Sequence, residues 1–160
     1  MSAPEKNRAG ILLIAVVNAV SAALTLVFWG LGWLRLFAGR EITDPAARAG
    51  AAATLGFLVG DLVWSFPLLV LSVPGLLRRR AWGWLIAQMV NVLWLYSMTV
   101  AWVRDLYAGS VSPGAMLFTP FALFAVGAAV YLWRIRDRFF AARENPRGAA
   151  GSESTSRGDR

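Results

Sequence analysis

Residues 54–77 read TLGFLVGDLVWSFPLLVLSVPGLL and contain a single charged residue, Asp61. A transmembrane helix needs about 20 predominantly apolar residues to cross a hydrocarbon core of about 30 Å. This stretch meets that length, and it is too long and too apolar for a buried helix of a small soluble domain. It therefore predicts a membrane-spanning helix with a carboxyl group inside it.

Three more stretches of the same kind surround it, at about residues 11–34, 82–103 and 115–133, and none of them contains a charge. The predicted fold is all-α, an integral membrane four-helix bundle over residues 11–134, preceded by a short segment, 1–10. The basic tail, 135–160, has no apolar face to bury over most of its length and is predicted to be largely disordered. Within the first loop, Thr43 and Asp44 followed by Pro45 predict a helix start that leads into the second span.

The composition excludes several classes of chemistry. The chain has 160 residues, of which 58% are hydrophobic and 16% charged, against about 45–50% and about 25% in ordinary soluble proteins. It contains no Cys and no His, so disulfides, thiolate nucleophiles, iron–sulfur clusters, His-ligated haem and Ser–His catalysis are impossible. We expect no cofactor and no metal.

The basic residues predict the orientation. Two Lys or Arg residues precede the first span, three lie in the second loop and seven follow the last span. On the other side of the membrane, the first loop contains three and the third loop one. By the positive-inside rule, both termini are predicted to be cytoplasmic in a cell inner (plasma) membrane. The net charge of +7 then has a membrane explanation, attraction to anionic lipid headgroups, and no nucleic-acid partner is expected. Trp29, Trp33 and Trp102 are predicted to lie at the outer interface.

Asp61 is the main candidate for a functional residue. Insertion scales place the cost of an intramembrane Asp at about 2.5–3.5 kcal/mol, and such residues usually face a bundle interior or a cavity. Asp61 lies about 10 Å below the outer end of its helix, and polar residues of the first and third spans reach similar depths. A ligand-binding site is predicted from Thr25, Asp61, Trp64, Ser65, Asn91 and Tyr96. The alternative is that Asp61 is a hydrogen-bonded packing residue, since polar stripes commonly join membrane helices.

Small residues and prolines also mark the second span. Gly56 and Gly60 form a GxxxG pattern that permits close helix approach, within the chain by preference or in an oligomer. Pro67 and Pro74, like Pro120 in the fourth span, are expected to kink their helices or to free backbone carbonyls.

A resemblance to a known group of proteins rests on a few short segments. These are Gly60-Asp61-Leu62, Pro67-Leu68, Ser72, Gly75-Leu76 and residues 78–83, RRRAWG. Over about residues 55–135 the chain resembles small four-span bacterial membrane proteins of unknown function, some of them grouped as DoxX-like. The resemblance implies a four-helix bundle and carries over no catalytic residues.

Two functions remain open at this point. The favoured one is a small membrane protein without catalytic apparatus, acting as a structural, binding or accessory component around Asp61. The alternative is a hydrophobic-ligand (isoprenoid or lipid) binding protein or a membrane cyclase, with Asp61 as general acid in an aromatic pocket of Phe57, Trp64, Trp94 and Tyr96. An enclosed cavity that reaches Asp61 would favour the alternative, and a solidly packed interior with Asp61 hydrogen-bonded would favour the first.

Overall fold

The structure is a computed structural model that describes residues 3–37 and 43–140, with side chains given for 8–35 and 43–140. Within these ranges it is helical, and no strand is found there. The elements are α1 (Ala3–Phe37), α2 (Pro45–Gly60), a π-helical turn (Asp61–Ser65), α3 (Phe66–Leu77), α4 (Ala81–Ala108), α5 (Pro113–Arg134) and α6 (Asp137–Phe140).

Among the residues that the structure describes, four helices are long and apolar enough to cross a membrane: Arg8–Arg35, Pro45–Leu77, Ala81–Ala108 and Pro113–Arg134. This confirms the predicted all-helical class and the number of candidate spans. Each helix extends beyond its predicted apolar stretch. The second gains its extra length at its start, because α2 begins at Pro45 and runs through the first half of the span.

The helices alternate in direction, so the bundle has two ends. The Ser112 end carries Arg35, residues 43–50 and the α4–α5 turn, and the Arg79 end carries residues 8–11, the α3–α4 turn and residues 134–140. Near the Arg79 end, Ile11 and Ile14 of α1 pack with Leu76 and Leu132. Near the Ser112 end, α4 and α5 bury Met98 and Phe118 against α1.

Local signals explain where the helices begin and end. The Asp44 carboxylate accepts a hydrogen bond from the Ala47 N–H at 2.9 Å, and Pro45 follows at the first helical position, as the sequence predicts. Ser112 caps α5 in the same manner by accepting from the Ala115 N–H at 3.3 Å. Gly109 ends α4 with φ of +64°, a left-handed conformation that costs glycine little.

The second span changes its helical pitch at its middle. Phe66 N–H donates to the Asp61 carbonyl, an i→i−5 bond that defines the π-helical turn. Pro67 has no N–H, and in an α-helix its ring would clash with the carbonyl four residues earlier. The wider turn before Pro67 therefore relieves that clash. It also divides the span into α3, which packs broadly against α1 and α4, and α2, which makes no comparable contact with either.

The close approach between α3 and α4 uses different glycines from those of the GxxxG pattern. A Cβ on Gly75 or Gly83 would overlap the other residue's backbone, so α3 and α4 touch main chain to main chain there. Gly56 and Gly60 have open space where a Cβ would lie. The preference for intrachain packing at Gly56 and Gly60 therefore has no support among the described residues, because α2 has no neighbour on that side.

The start of the predicted tail is ordered as far as Phe140. Ile135 and Phe139 are buried against the cluster at the Arg79 end, and α6 places Phe139 there. The disorder predicted for the rest of segment 135–160 concerns residues 141–160, which lie outside the described part of the chain.

Candidate functional site

Asp61 is held by two hydrogen-bond donors. The Trp29 indole Nε1–H donates to Oδ2 at 2.8 Å, and the Ser65 hydroxyl donates to Oδ1 at 3.0 Å. Trp29 comes from α1 and Ser65 from the same π-helical turn as Asp61. The carboxyl group therefore joins the first span to the second at the point where the second changes its pitch.

A cavity of about 460 Å³ extends from Asp61 through the half of the bundle nearer the Ser112 end. Its volume falls within the range of about 300–1,000 Å³ usual for small-molecule sites. One wall is the α4 face formed by Val90, Leu93, Trp94, Ser97, Met98, Ala101 and Arg104. The second span contributes Thr54, Phe57, Asp61, Ser65 and Leu69 to the opposite wall.

The helical repeat produces these walls. On both spans the lining residues recur every three or four positions, the spacing of one helix face. Because α2 does not pack broadly against α1 or α4, the space between them stays unfilled. Further lining residues come from α1, among them Thr25, Phe28, Trp29 and Arg35, and from α5, among them Phe118. Leu69 and Val90 are buried and close the floor.

Two arginines stand at the mouth of the cavity. Arg35 and Arg104 are both exposed and both line it. Arg104 is positioned by Asp105, whose Oδ1 accepts from Nε at 3.0 Å and from Nη2 at 2.8 Å. The other carboxylate oxygen of Asp105 accepts from the Ser112 N–H at 2.7 Å and from its hydroxyl at 2.8 Å. This network ties the α4–α5 turn together and keeps one guanidinium beside the cavity.

The structure brings three of the six predicted site residues together. Thr25, Asp61 and Ser65 line the cavity, although the Thr25 hydroxyl donates to the Ser21 carbonyl of its own helix at 2.8 Å. Trp64 and Tyr96 are not among the lining residues, and with exposures of 64% and 65% they face outward from the bundle. Of the aromatic pocket considered for a cyclase, Phe57 and Trp94 line the cavity.

Asn91, the remaining predicted site residue, is buried but lies away from the cavity lining. Its Nδ2 donates to the Gln88 Oε1 at 3.1 Å, and Gln88 in turn donates to the Ala129 carbonyl at 3.2 Å. The pair joins α4 to α5. On the other side of the bundle, Asn18 donates to the Ser72 hydroxyl at 2.8 Å. These polar groups connect helices, as polar residues commonly do in membrane bundles.

Sequence reasoning missed Trp29 as a partner of Asp61. Trp29 was expected at the membrane interface, yet its side chain is only 7% exposed and its indole N–H is used by Asp61. It lies four residues after Thr25, a spacing that places both on one helix face. That shared face was the available signal, but an interfacial belt explained the tryptophan equally well.

Comparison of the chain with protein-family models, with curated proteins and with solved structures found no match. The resemblance to DoxX-like proteins accordingly stays an expectation. Within the described ranges, no group of three His, Cys, Asp or Glu side chains is placed to hold a metal ion.

Proposed function

We propose that the protein is an integral membrane protein that binds an amphipathic ligand of lipid or isoprenoid type in the cavity above Asp61. The observation that supports this most is the cavity itself, which reaches the half-buried carboxyl group of Asp61 and has mostly apolar walls. The space is a cleft that stays open because α2 lies apart from α1 and α4. Its volume is that of a small-molecule site, which a purely structural role does not require.

The hydrogen bonds of Asp61 also fit a structural or accessory component, the function favoured from the sequence. The two roles are compatible, because each Asp61 oxygen accepts one bond from the protein and a carboxylate has about four acceptor sites. The cyclase alternative gains no specific support. Asp61 is the only carboxyl group among the residues that line the cavity, so we propose binding without catalysis.

We further propose a multi-pass protein of the inner (plasma) membrane with both termini cytoplasmic. Seven arginines at the Arg79 end are exposed, namely Arg8, Arg78, Arg79, Arg80, Arg134, Arg136 and Arg138. Such a cluster would attract anionic headgroups of the cytoplasmic leaflet. The cavity would then open toward the outer leaflet. Oligomerisation through Gly56 and Gly60 stays a prediction.

The orientation can be tested by cysteine labelling, because the chain has no native Cys. In intact cells, a membrane-impermeant maleimide should label Ser110→Cys of the α4–α5 turn and leave Arg138→Cys unlabelled. Labelling of Arg138→Cys alone would reverse the proposed orientation.

Native mass spectrometry of the protein purified from its membrane tests the binding. We expect one amphiphile on the wild-type chain and its loss in Ala101→Trp, which fills the cavity from α4. Tyr96→Trp lies on the same helix outside the cavity and should retain the ligand. Equal occupancy of wild type and Ala101→Trp would contradict the proposal.

A further inference from the structure

We propose that the ligand is a single-chain amphiphile with one anionic head group, a carboxylate or a phosphate, held at the mouth by Arg35 and Arg104. Its chain would run past Asp61 to the floor formed by Leu69 and Val90. This inference rests on the proposed function and defines the class of ligand.

The mouth carries positive charge that the described residues do not fully balance. Arg104 forms an ion pair with Asp105 at 2.8 Å and uses Nε and Nη2 for it, which leaves Nη1 for a ligand. Arg35 makes no ion pair with a described residue and lines the same cavity. The Arg35 guanidinium can bind two oxygens of a carboxylate or phosphate at once, and Arg104 can add a contact through Nη1.

The interior below the mouth suits an apolar chain. Fourteen residues of α4 separate Arg104 from Val90, which corresponds to about 21 Å along the helix. Leu93, Met98 and Phe118 line the space between them. An acyl or isoprenoid chain can therefore lie along most of that length, where it contacts the apolar side chains of the walls.

Asp61 fixes the direction in which such a ligand enters. Its partner Trp29 lies six residues before Arg35 on α1, so the carboxyl group is about 9 Å below the mouth. Both Asp61 oxygens already accept hydrogen bonds, from Trp29 and from Ser65. An anionic head group is itself an acceptor, so the donors that suit it are the two guanidinium groups at the mouth. The arrangement thus favours a head-out orientation.

Four probes with the same eighteen-carbon chain separate the contributions: oleate, oleyl phosphate, oleyl alcohol and oleylamine. Equilibrium binding to the delipidated full-length protein should be about tenfold tighter for the two anions than for the alcohol, and weakest for the amine; a tenfold preference corresponds to about 1.4 kcal/mol. The tighter of the two anions identifies the head group as carboxylate or phosphate.

Arg35→Gln should reduce the preference for anions to less than about threefold while alcohol binding stays unchanged, and Arg35→Lys should restore part of it. Arg78→Gln, an exposed arginine at the opposite end, is the matched control and should change nothing. Equal binding of all four probes, or an anion preference unaffected by Arg35→Gln, would overturn the head-group inference and leave the cavity as a neutral lipid site. Absence of binding by every probe would overturn the proposed function as well.

Discussion

Replacing Gly75 or Gly83 by Ala should destabilise the bundle, because α3 and α4 touch through their backbones at these two residues. In Gly75→Ala, the new Cβ would overlap the Gly83 backbone and come within 2.6 Å of the Trp82 ring. An aromatic ring can turn aside, but a main chain in a helix cannot, so the two helices must move apart. Overpacking of this kind costs about 1–3 kcal/mol, and the upper half of that range applies where backbone must shift.

Helix propensity acts in the opposite direction. Ala is favoured over Gly in a helix by about 1 kcal/mol, so the expected net loss for Gly75→Ala is about 1–2 kcal/mol. Gly56→Ala and Gly60→Ala meet open space and should leave stability unchanged or raise it by up to about 1 kcal/mol. All four substitutions add one methyl group at a helical site. The difference in unfolding free energy between the two pairs therefore measures the close approach of α3 and α4 alone.

Reversible unfolding of the purified protein in mixed micelles, followed by circular dichroism, gives the free energies of unfolding. A Gly75→Ala variant as stable as the wild type within about 0.5 kcal/mol would show that the two backbones are not in contact there. A loss of stability in Gly56→Ala as large as that in Gly75→Ala would show that α2 has a close neighbour on its open side.

Three other substitutions test the polar contacts. Trp29→Phe removes the donor to Asp61 and should lower the free energy of unfolding by about 1–2 kcal/mol. Trp64→Phe, at an exposed position, should change the free energy of unfolding by less than about 0.5 kcal/mol. Equal effects of the two substitutions would contradict the hydrogen bond between Trp29 and Asp61. Asn18→Leu removes the amide that donates to the buried Ser72 hydroxyl and should lower the free energy of unfolding by about 0.6–1.7 kcal/mol in the same assay. An unchanged free energy would show that this bond contributes nothing. Asp105→Asn weakens the α4–α5 turn, and amide hydrogen exchange at Ser112 should become at least several-fold faster; unchanged exchange would argue against the network.

The number and class of the helices could be predicted because the signals are local. Long uncharged stretches define the four candidate spans, and Asp44 with Pro45 marks the start of α2 through capping chemistry that involves a few neighbouring residues. Asp61 was singled out for an equally local reason, the cost of a carboxyl group inside an apolar helix.

The composition of the cavity could not be predicted to the same degree, because it depends on how each helix is rotated. Depth along the bundle placed both Tyr96 and Ser97 level with Asp61, but only Ser97 lies on the α4 face that lines the cavity. One residue corresponds to about 100° around the helix. The π-helical turn before Pro67 adds a further rotation that sequence periodicity does not contain. Arg35 likewise lines the cavity because α2 lies apart from α1. That separation depends on tertiary packing and not on local sequence.

The most direct test of a ligand in the cavity is photo-crosslinking with a stearic acid that carries a diazirine in mid-chain, with the wild-type protein in its native membrane. Crosslinks that excess unlabelled stearate suppresses should map to cavity residues such as Phe57, Trp94 and Met98, and Ala101→Trp should abolish them. Suppressible crosslinks confined to outward-facing residues such as Val92 and Leu123, or none at all, would contradict the account.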